Sequence, residues 1–412
     1  MPSPRFRHSM IQTCAVTAIA LAWLSPCRAA SNGRVIYDFS GGNDGGDPAT
    51  QITFDSSGNA YGTTVVGGDY GCGTVFQLSP VGTNWELNTL YSFSCLADGK
   101  NPYGGVTLDA KGNLYGTTVA GGSGVCAGDG CGTVFELSKS GSNWTETVLY
   151  NFTGGNDGSG PGGGVVFDND GNLYGTTPDG GRYSMGVVYE LSPGQGGPWT
   201  QTVIHAFTGG ADGGVGSLGS LLYNGGKFYG VAEIGGTFGL GTVFELSPAS
   251  GGAWRFTTIH EFEGQPHAGS PYGGLIMDGH GGLLGTTYFG GVNGQGTVFD
   301  LALVNGKAQE TTLYSFTGGN DGSFPTSTPV FDHAGNLYVT TSNGGNPDCD
   351  CGTIFELSRS KGEVKGSTVH SFRGFDGSYP NYGLTIDAQG NLYGTTPVGG
   401  TQNAGVAFSF TP

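Results

Sequence analysis

Short runs of alternating apolar and polar residues recur along almost the whole chain, separated by Gly, Asp, Asn and Ser. Alternation with period two marks a half-buried β-strand. Four such runs fill the first full unit: Ile52–Asp55, Ala60–Thr64, Thr74–Leu78 and Thr89–Phe93. The third run returns as Thr133–Leu137, Val187–Leu191, Thr242–Leu246, Thr297–Leu301 and Thr353–Leu357. The fourth returns as Val148–Phe152, Val203–Phe207, Thr258–Phe262, Thr312–Phe316 and Thr368–Phe372. No segment has the length and period of a helix, so an all-β chain is predicted.

The runs belong to a tandem repeat. Gly-Asn-Leu-Tyr-Gly-Thr-Thr stands at residues 112–118, 171–177 and 390–396, with variants at 58–64, 226–232, 281–287 and 335–341. The fourth position of the motif is Tyr61, Tyr115, Tyr174, Tyr229, Leu284, Tyr338 and Tyr393. This period of about 55 residues is slightly longer than that of kelch repeats. Seven units of four antiparallel strands predict a seven-bladed β-propeller. The ends of the repeat region are complementary. Residues 35–39 match a fourth strand, whereas the last unit stops at a third, residues 406–410. The N-terminal strand is therefore expected to complete the C-terminal blade, leaving no open sheet edge.

The ordered Gly-Asn-Leu-Tyr-Gly-Thr-Thr and Gly-Thr-Val-Phe-Glu-Leu-Ser motifs resemble the Gloeo-Verruco (GloVer) repeats of exported bacterial proteins over residues 35–411. The Asp-x-x-Gly-Asn-Leu-Tyr portion is more distantly similar to NHL-type propellers. The resemblance implies bacterial export and a propeller-like array, and it implies no catalytic residue.

Glycine supplies 84 of the 412 residues and charged residues only 11%. The glycines follow no three-residue period, which excludes collagen. Net charge is −17, and there is no Lys/Arg stripe, which disfavours nucleic acid and anionic membrane surfaces. Residues 1–29 read as a signal peptide. Arg5, Arg7 and His8 precede an apolar run from Met10 to Leu24, and Cys27-Arg28-Ala29 gives a cleavage site. A lipid anchor at Cys27 is the weaker alternative, because Pro26 precedes it. The mature part, 30–412, is expected to be one propeller domain, secreted or periplasmic. It should act as a monomer with no membrane span, facing a polysaccharide or another envelope component.

With the strands of each blade named a to d, the d–a and b–c loops share one face. The a–b and c–d turns share the other. The a–b turns carry Asp55, Asp109 and Asp387; repeated turn chemistry explains them better than a metal ring. Trp85, Trp144, Trp199 and Trp254 are expected in c–d turns, capping the joints between blades. His205, His260 and His370 replace a strand-d tyrosine and read as structural, while His280 and His333 lie in a–b turns.

The d–a loops carry Gly-Gly-Asn-Asp-Gly with Asp44, Asp157 and Asp321, and related forms carry Asp98, Asp212 and Asp376. The loop before blade 5 has Gln265-Pro266-His267 instead. Asp-Gly is turn chemistry first; calcium is a weaker reading, because the spacing matches no calcium motif. Aromatics gather in these loops: Tyr70, Tyr103, Tyr183, Phe238, Tyr272, Tyr288, Phe289, Phe324 and Tyr379. Flat rings beside Asp and Asn suit a sugar-binding surface, with loop packing as the competing account. Tyr103, Tyr272, Tyr288, Phe324, Tyr379, Asp44, Asp157 and Asp321 are accordingly the candidate binding residues. Residues that break the repeat on this face are Glu233, Asp179, Arg182, His267 and Arg373. The first four form a candidate acid–base set for a polysaccharide lyase or glycoside hydrolase, although drift among degenerate repeats also explains them.

Six cysteines remain after residue 29. Cys72 and Cys95 flank antiparallel neighbours and should bridge, contributing about 3.5 kcal/mol in the chain-entropy model. Cys126 and Cys131 would pin one b–c loop, contributing about 2 kcal/mol. Cys349 and Cys351 are expected to form either a tight bridge or a reactive pair. Zinc is the rival reading, opposed by the spread of the pairs over three blades. No nucleophile elbow, zincin helix or phosphate loop is present.

Overall fold

The computed structural model describes residues 33–412 apart from 142, 195–196, 217–218, 305–306 and 361–362. The expected signal peptide and Cys27 lie outside the described residues. Seven small antiparallel sheets, one per repeat, form a seven-bladed β-propeller. In blade 1 the strands are Thr53–Phe54, Ala60–Thr64, Thr74–Val81 and Asn84–Ser92. The ring closes as the sequence predicts. Gly33–Asp38 pairs antiparallel with Val406–Phe410, with Val35 opposite Phe408, and becomes strand d of blade 7.

Strands a and d differ from expectation in length. Strand a shrinks to two or three residues in most blades. Strand d starts earlier than expected. The c–d hairpin of blade 1 turns within two residues, Gly82 and Thr83, with Val81 already opposite Asn84. Gly82 takes φ +61, as a tight hairpin turn requires. Trp85, Trp144 and Trp254 therefore stand inside strand d rather than in a turn. They do cap joints: Trp85 packs on Tyr393, Trp144 on Tyr61 and Trp254 on Tyr174, each across to the preceding blade.

Strand b is buried throughout in most blades, whereas strand d alternates exposed and half-buried residues. The glycine of Leu-Tyr-Gly-Thr-Thr is set by close approach. A Cβ at Gly62 would stand 2.6 Å from the Phe76 ring tip on strand c. That ring is also the joint. The phenylalanine after each strand d meets the strand-c aromatic of the next blade edge-on, as Phe39–Phe76, Phe93–Phe135, Phe152–Tyr189 and onward to Phe372–Phe408. The separation is 5.1–5.5 Å at all seven joints. Nearer the axis, Thr53, Thr107 and Thr385 donate to the backbone carbonyls of Val106, Val165 and Ile52 in the following blade. Among the described residues the one helical element is a single 3-10 turn, Ser250–Gly252. No helix is long and apolar enough to cross a membrane.

Candidate functional site

The two families of loops zip together on one face. Each d–a loop makes antiparallel contacts with the b–c loop of the following blade, as Gly46 with Val66, Lys100 with Ala120, Ser159 with Asp179 and Ser323 with Asn343. The recurring aspartates shape these loops from within. Asp44 accepts from the Ser40 backbone N–H, the Ser40 hydroxyl and the Tyr37 hydroxyl. Asp157 and Asp321 accept the same three bonds from Thr153 and Tyr150, and from Thr317 and Tyr314. Their oxygens are thus engaged by the chain itself. His205 and His370 stand in for the tyrosine and face Asp212 and Asp376 at 3.0 and 3.1 Å. Where Gln265-Pro266-His267 removes the loop acid, His260 reaches forward to Glu310 on strand d of the next blade, at 2.9 Å. Glu310 also accepts the Ala268 backbone N–H, so the missing acid is replaced from outside the loop.

Further in, most d–a loops end on a residue before proline. Asp47, Asn101, Ser270, Phe324 and Tyr379 occupy this position with φ between +53 and +60. Such left-handed non-glycine backbone is uncommon. The residue after strand b binds beside it: Val65 N–H donates to the Asp47 carbonyl, and Ser342 N–H to that of Phe324. Glu233 and Tyr288 hold the same strand-end position in blades 4 and 5. Of the residues that break the repeat on this face, Glu233 comes to this strand-end position. Tyr103, Tyr272 and Tyr382 line a cavity of about 60 Å³, with Gln51, Ser220, Thr326, Thr328 and Asn381. The rings of Tyr103 and Tyr382 lie 6.0 Å apart, those of Tyr272 and Tyr288 6.2 Å, and Tyr288 stacks on Phe324 at 4.7 Å.

Two carboxyls act on these tyrosines, Asp47 on Tyr103 and Tyr382 and Glu233 on Tyr272. Burial pushes the Asp47 carboxyl up to about 6, and its Oδ1 is buried with no hydrogen-bond partner. Burial also raises Glu233. Tyr272 is pushed up to about 12, first by burial and then by the negative charges of Glu233 and its neighbouring tyrosines. Both Tyr103 and Tyr382 are raised by burial first, with Asp47 adding to it.

The outer part of the same face is apolar in spots. Tyr70, Tyr183, Phe238, Phe289, Phe375 and Tyr379 are between 37% and 68% exposed. Beside blade 1, an open groove is lined by Asn43, Asp69, Tyr70, Thr89, Leu96 and Asp98. The candidate acid–base set is split. Glu233 stands near the end of strand b in blade 4. Arg182 lies over the Tyr183 ring in the b–c loop of blade 3, with its guanidinium carbon 5.5 Å from the ring centre. His267 is exposed in the loop before blade 5, 4.0 Å from Glu263. Asp179 is in the b–c loop paired with Ser159. Burial is the cause of the raised Glu233 carboxyl.

The Gloeobacter/Verrucomicrobia repeat model matches residues 25–223 and 216–412. The chain belongs to this repeat family. Solved structures are similar at low identity. A candidate 6-phosphogluconolactonase from Bacteroides uniformis is 15% identical, with a TM-score of 0.50 over 78% of this chain and 84% of that one. A candidate oxidoreductase (glucose dehydrogenase) from Thermus thermophilus is 14% identical, with a TM-score of 0.47 over 93% of this chain and 100% of that one. No curated protein matches the sequence.

This Gloeobacter/Verrucomicrobia repeat protein also carries three disulfides. Cys72 joins Cys95, Cys126 joins Cys131, and Cys349 joins Cys351, with Cα–Cα distances of 5.4, 5.1 and 5.2 Å. All three tie down loop-face segments, and the last resolves the choice between a bridge and a reactive pair in favour of the bridge. Among the described residues no three His, Cys, Asp or Glu side chains converge as metal ligands. Sequence reading missed Asp47, Tyr382, Phe375 and Glu310. The Xaa-Pro step shared by Asp47, Asn101, Ser270, Phe324 and Tyr379 was the signal for Asp47. Glu310 carried none, because its partner lies in another repeat.

Proposed function

We propose that this repeat protein works outside the cytoplasm as a carbohydrate-binding propeller, engaging a glycan through its loop-rich face without turnover. One observation carries the reading: all six large exposed aromatics among the described residues, Tyr70, Tyr183, Phe238, Phe289, Phe375 and Tyr379, lie on that face. Sugar rings stack on such side chains through their C–H faces while nearby amides and carboxylates take the hydroxyls. Asn43 and Asp69 flank Tyr70 in this way. The three disulfides are compatible with an oxidising compartment.

The test is retention of the mature protein on a panel of insoluble polysaccharides, with soluble products measured in parallel. Retention without products, weakened by Tyr70→Ala and Phe375→Ala, supports the reading. Absence of retention on every polymer, or retention indifferent to both substitutions, overturns it. The raised carboxyls of Asp47 and Glu233 favour a glycoside hydrolase or lyase as second reading, since such chemistry uses a carboxyl kept protonated by burial. Released sugar that Glu233→Gln abolishes would establish it.

A further inference from the structure

We propose that the groove beside blade 1 is the subsite for a neutral sugar chain, that it turns away acidic sugars, and that the Cys72–Cys95 bridge holds its apolar flanks in place. That the occupant is a sugar rests on the binding reading above; the groove and its clamp rest on how this blade departs from the repeat.

In the Gly-Gly-Asn-Asp-Gly turns, two glycines follow the Ser or Thr that bonds the loop aspartate. Gly41-Gly42 follow Ser40, and Gly154-Gly155 follow Thr153. The loop entering blade 2 has Cys95-Leu96 at these two places, after Ser94. Cys95 keeps the left-handed backbone of the glycine it replaces, with φ +70 against +76 at Gly41. A side chain in that conformation is uncommon, and this one is tied to Cys72. Leu96 puts an apolar side chain where Gly42 and Gly155 have none, and it is 70% exposed. It lines the same groove as Tyr70, which is 63% exposed. Tyr70 stands two residues before Cys72, and Leu96 directly follows Cys95. The bridge, with its Cα atoms 5.4 Å apart, thus joins the two segments that carry the flanks. Cys95 Sγ also meets the Tyr70 carbonyl oxygen at 3.4 Å. Four of the seven residues from Gly67 to Gly73 are glycine, so the Tyr70 segment has little stiffness of its own.

The groove has a volume of about 780 Å³. Pockets of about 300–1,000 Å³ take a drug-sized ligand, so there is room for more than one sugar ring. Besides Tyr70 and Leu96, the lining offers the Thr89 and Ser92 hydroxyls and the Asn43 amide, which suit sugar hydroxyls. Its charged residues are Asp69 and Asp98. Asp69 is exposed. Burial raises the Asp98 carboxyl, but bonds from Ser94 and Tyr91 outweigh that and hold it below its usual value, so its charge is present at neutral pH. A uronate or a sulfated sugar is repelled by both carboxylates and finds no lysine or arginine in the lining. An uncharged sugar meets no such opposition.

The test takes each insoluble polysaccharide that retains the mature protein and compares it with its lightly carboxymethylated form, at neutral pH and physiological salt. Depletion of the protein from solution gives the dissociation constants. The neutral form should bind at least tenfold more tightly. Asp69→Asn should narrow that preference at least twofold, whereas Asp170→Asn, at an exposed position on the turn face, should leave it unchanged. Leu96→Gly, which restores the residue found at Gly42, should weaken binding of the neutral form at least fivefold. Cys72→Ala with Cys95→Gly should do the same. That variant removes the bridge but uses the residues that Ala404 and Gly41 show at the equivalent positions, so it should fold, and thermal unfolding checks this. Cys126→Ser with Cys131→Ala removes a different loop-face bridge and should change binding less than twofold. Equal binding of the two forms, or tighter binding of the acidic one, overturns the proposal. So does a preference indifferent to Asp69→Asn, because bulk charge then accounts for it. Binding that survives Leu96→Gly or loss of the Cys72–Cys95 bridge overturns it too, as does an equal loss in the Cys126–Cys131 variant. Retention that depends on Phe375 but not on Leu96 defeats the groove and leaves the binding reading standing. Retention on no polymer overturns both.

Discussion

The two faces of the propeller use aspartate in the same way and differ in what surrounds it. On the turn face, Asp55, Asp109, Asp168, Asp332 and Asp387 each accept backbone N–H bonds two and four residues ahead, the Asn side chain at the fourth and the Tyr hydroxyl at the sixth. On the loop face, Asp44, Asp98, Asp157 and Asp321 are equally satisfied by their own turns. A repeated acid is thus a structural part on both faces. What distinguishes the loop face is the unrepeated material: exposed aromatics, and the half-buried acids Asp47 and Glu233, whose carboxyls burial raises. Repetition marks what the fold needs, and departure from it marks where a ligand can be told apart.

Breaking a joint should erase the difference by unfolding both faces at once. Phe408→Ala at the closing joint is expected to cost about 3–5 kcal/mol, visible as a large fall in the denaturant midpoint. Cys72→Ser with Cys95→Ser should cost about 3.5 kcal/mol and should expose the loop face to proteolysis before the turn face. Asp332→Ala should cost about 2 kcal/mol through several lost charge-assisted bonds while leaving polysaccharide retention unchanged. Burial raises this carboxyl, but bonds from Asn336, Ala334 and Tyr338 outweigh that and hold it below its usual value. Its contribution is therefore present above about pH 4 and lost as pH falls through the depressed value. Stability differences from Asp332→Asn should shrink correspondingly in acid.

Tyr70→Ala sharpens the comparison from the other side. It should weaken retention by about tenfold, or ~1.4 kcal/mol, with stability changed by less than about 0.5 kcal/mol. The smallest effect is a gain. Glu146 on strand d of blade 2 has a buried Oε1 without a partner, and burial, aided by Asp98, pushes the carboxyl up to about 7. Its ionised form opposes folding at alkaline pH, and the opposition fades as pH falls. Glu146→Gln should therefore stabilise on the order of 1 kcal/mol at pH 8 and little at pH 4.5, read by chemical denaturation at both values.

Much of this was legible along the chain because a propeller repeats its instructions. Seven copies of one strand pattern revealed the blades, and the odd strand at each end revealed the closure between Val35 and Phe408. Cys72 and Cys95 could be paired because they flank strands adjacent in sequence and in space. Strand limits were less legible: strand a pairs over only two or three residues, and strand d begins right after a two-residue turn. The binding residues divided in the same way. Tyr103 and Tyr272 stood out as loop aromatics and Glu233 as a departure from the repeat, but that Tyr103 and Tyr272 line one cavity depends on the ring.

The chain by itself determined the blade, its turns and the closing strand, since each is specified by neighbours within one period: alternation, Asp-Gly turns, and glycine where a ring presses on the backbone. Only the tertiary structure decided that Asp47 from blade 1, Glu233 from blade 4 and Tyr382 from blade 7 share an axis, or that Glu310 repairs the loop after His260. Those relations join residues tens to hundreds of positions apart, and burial, which shifts the acids, exists only after the ring has closed.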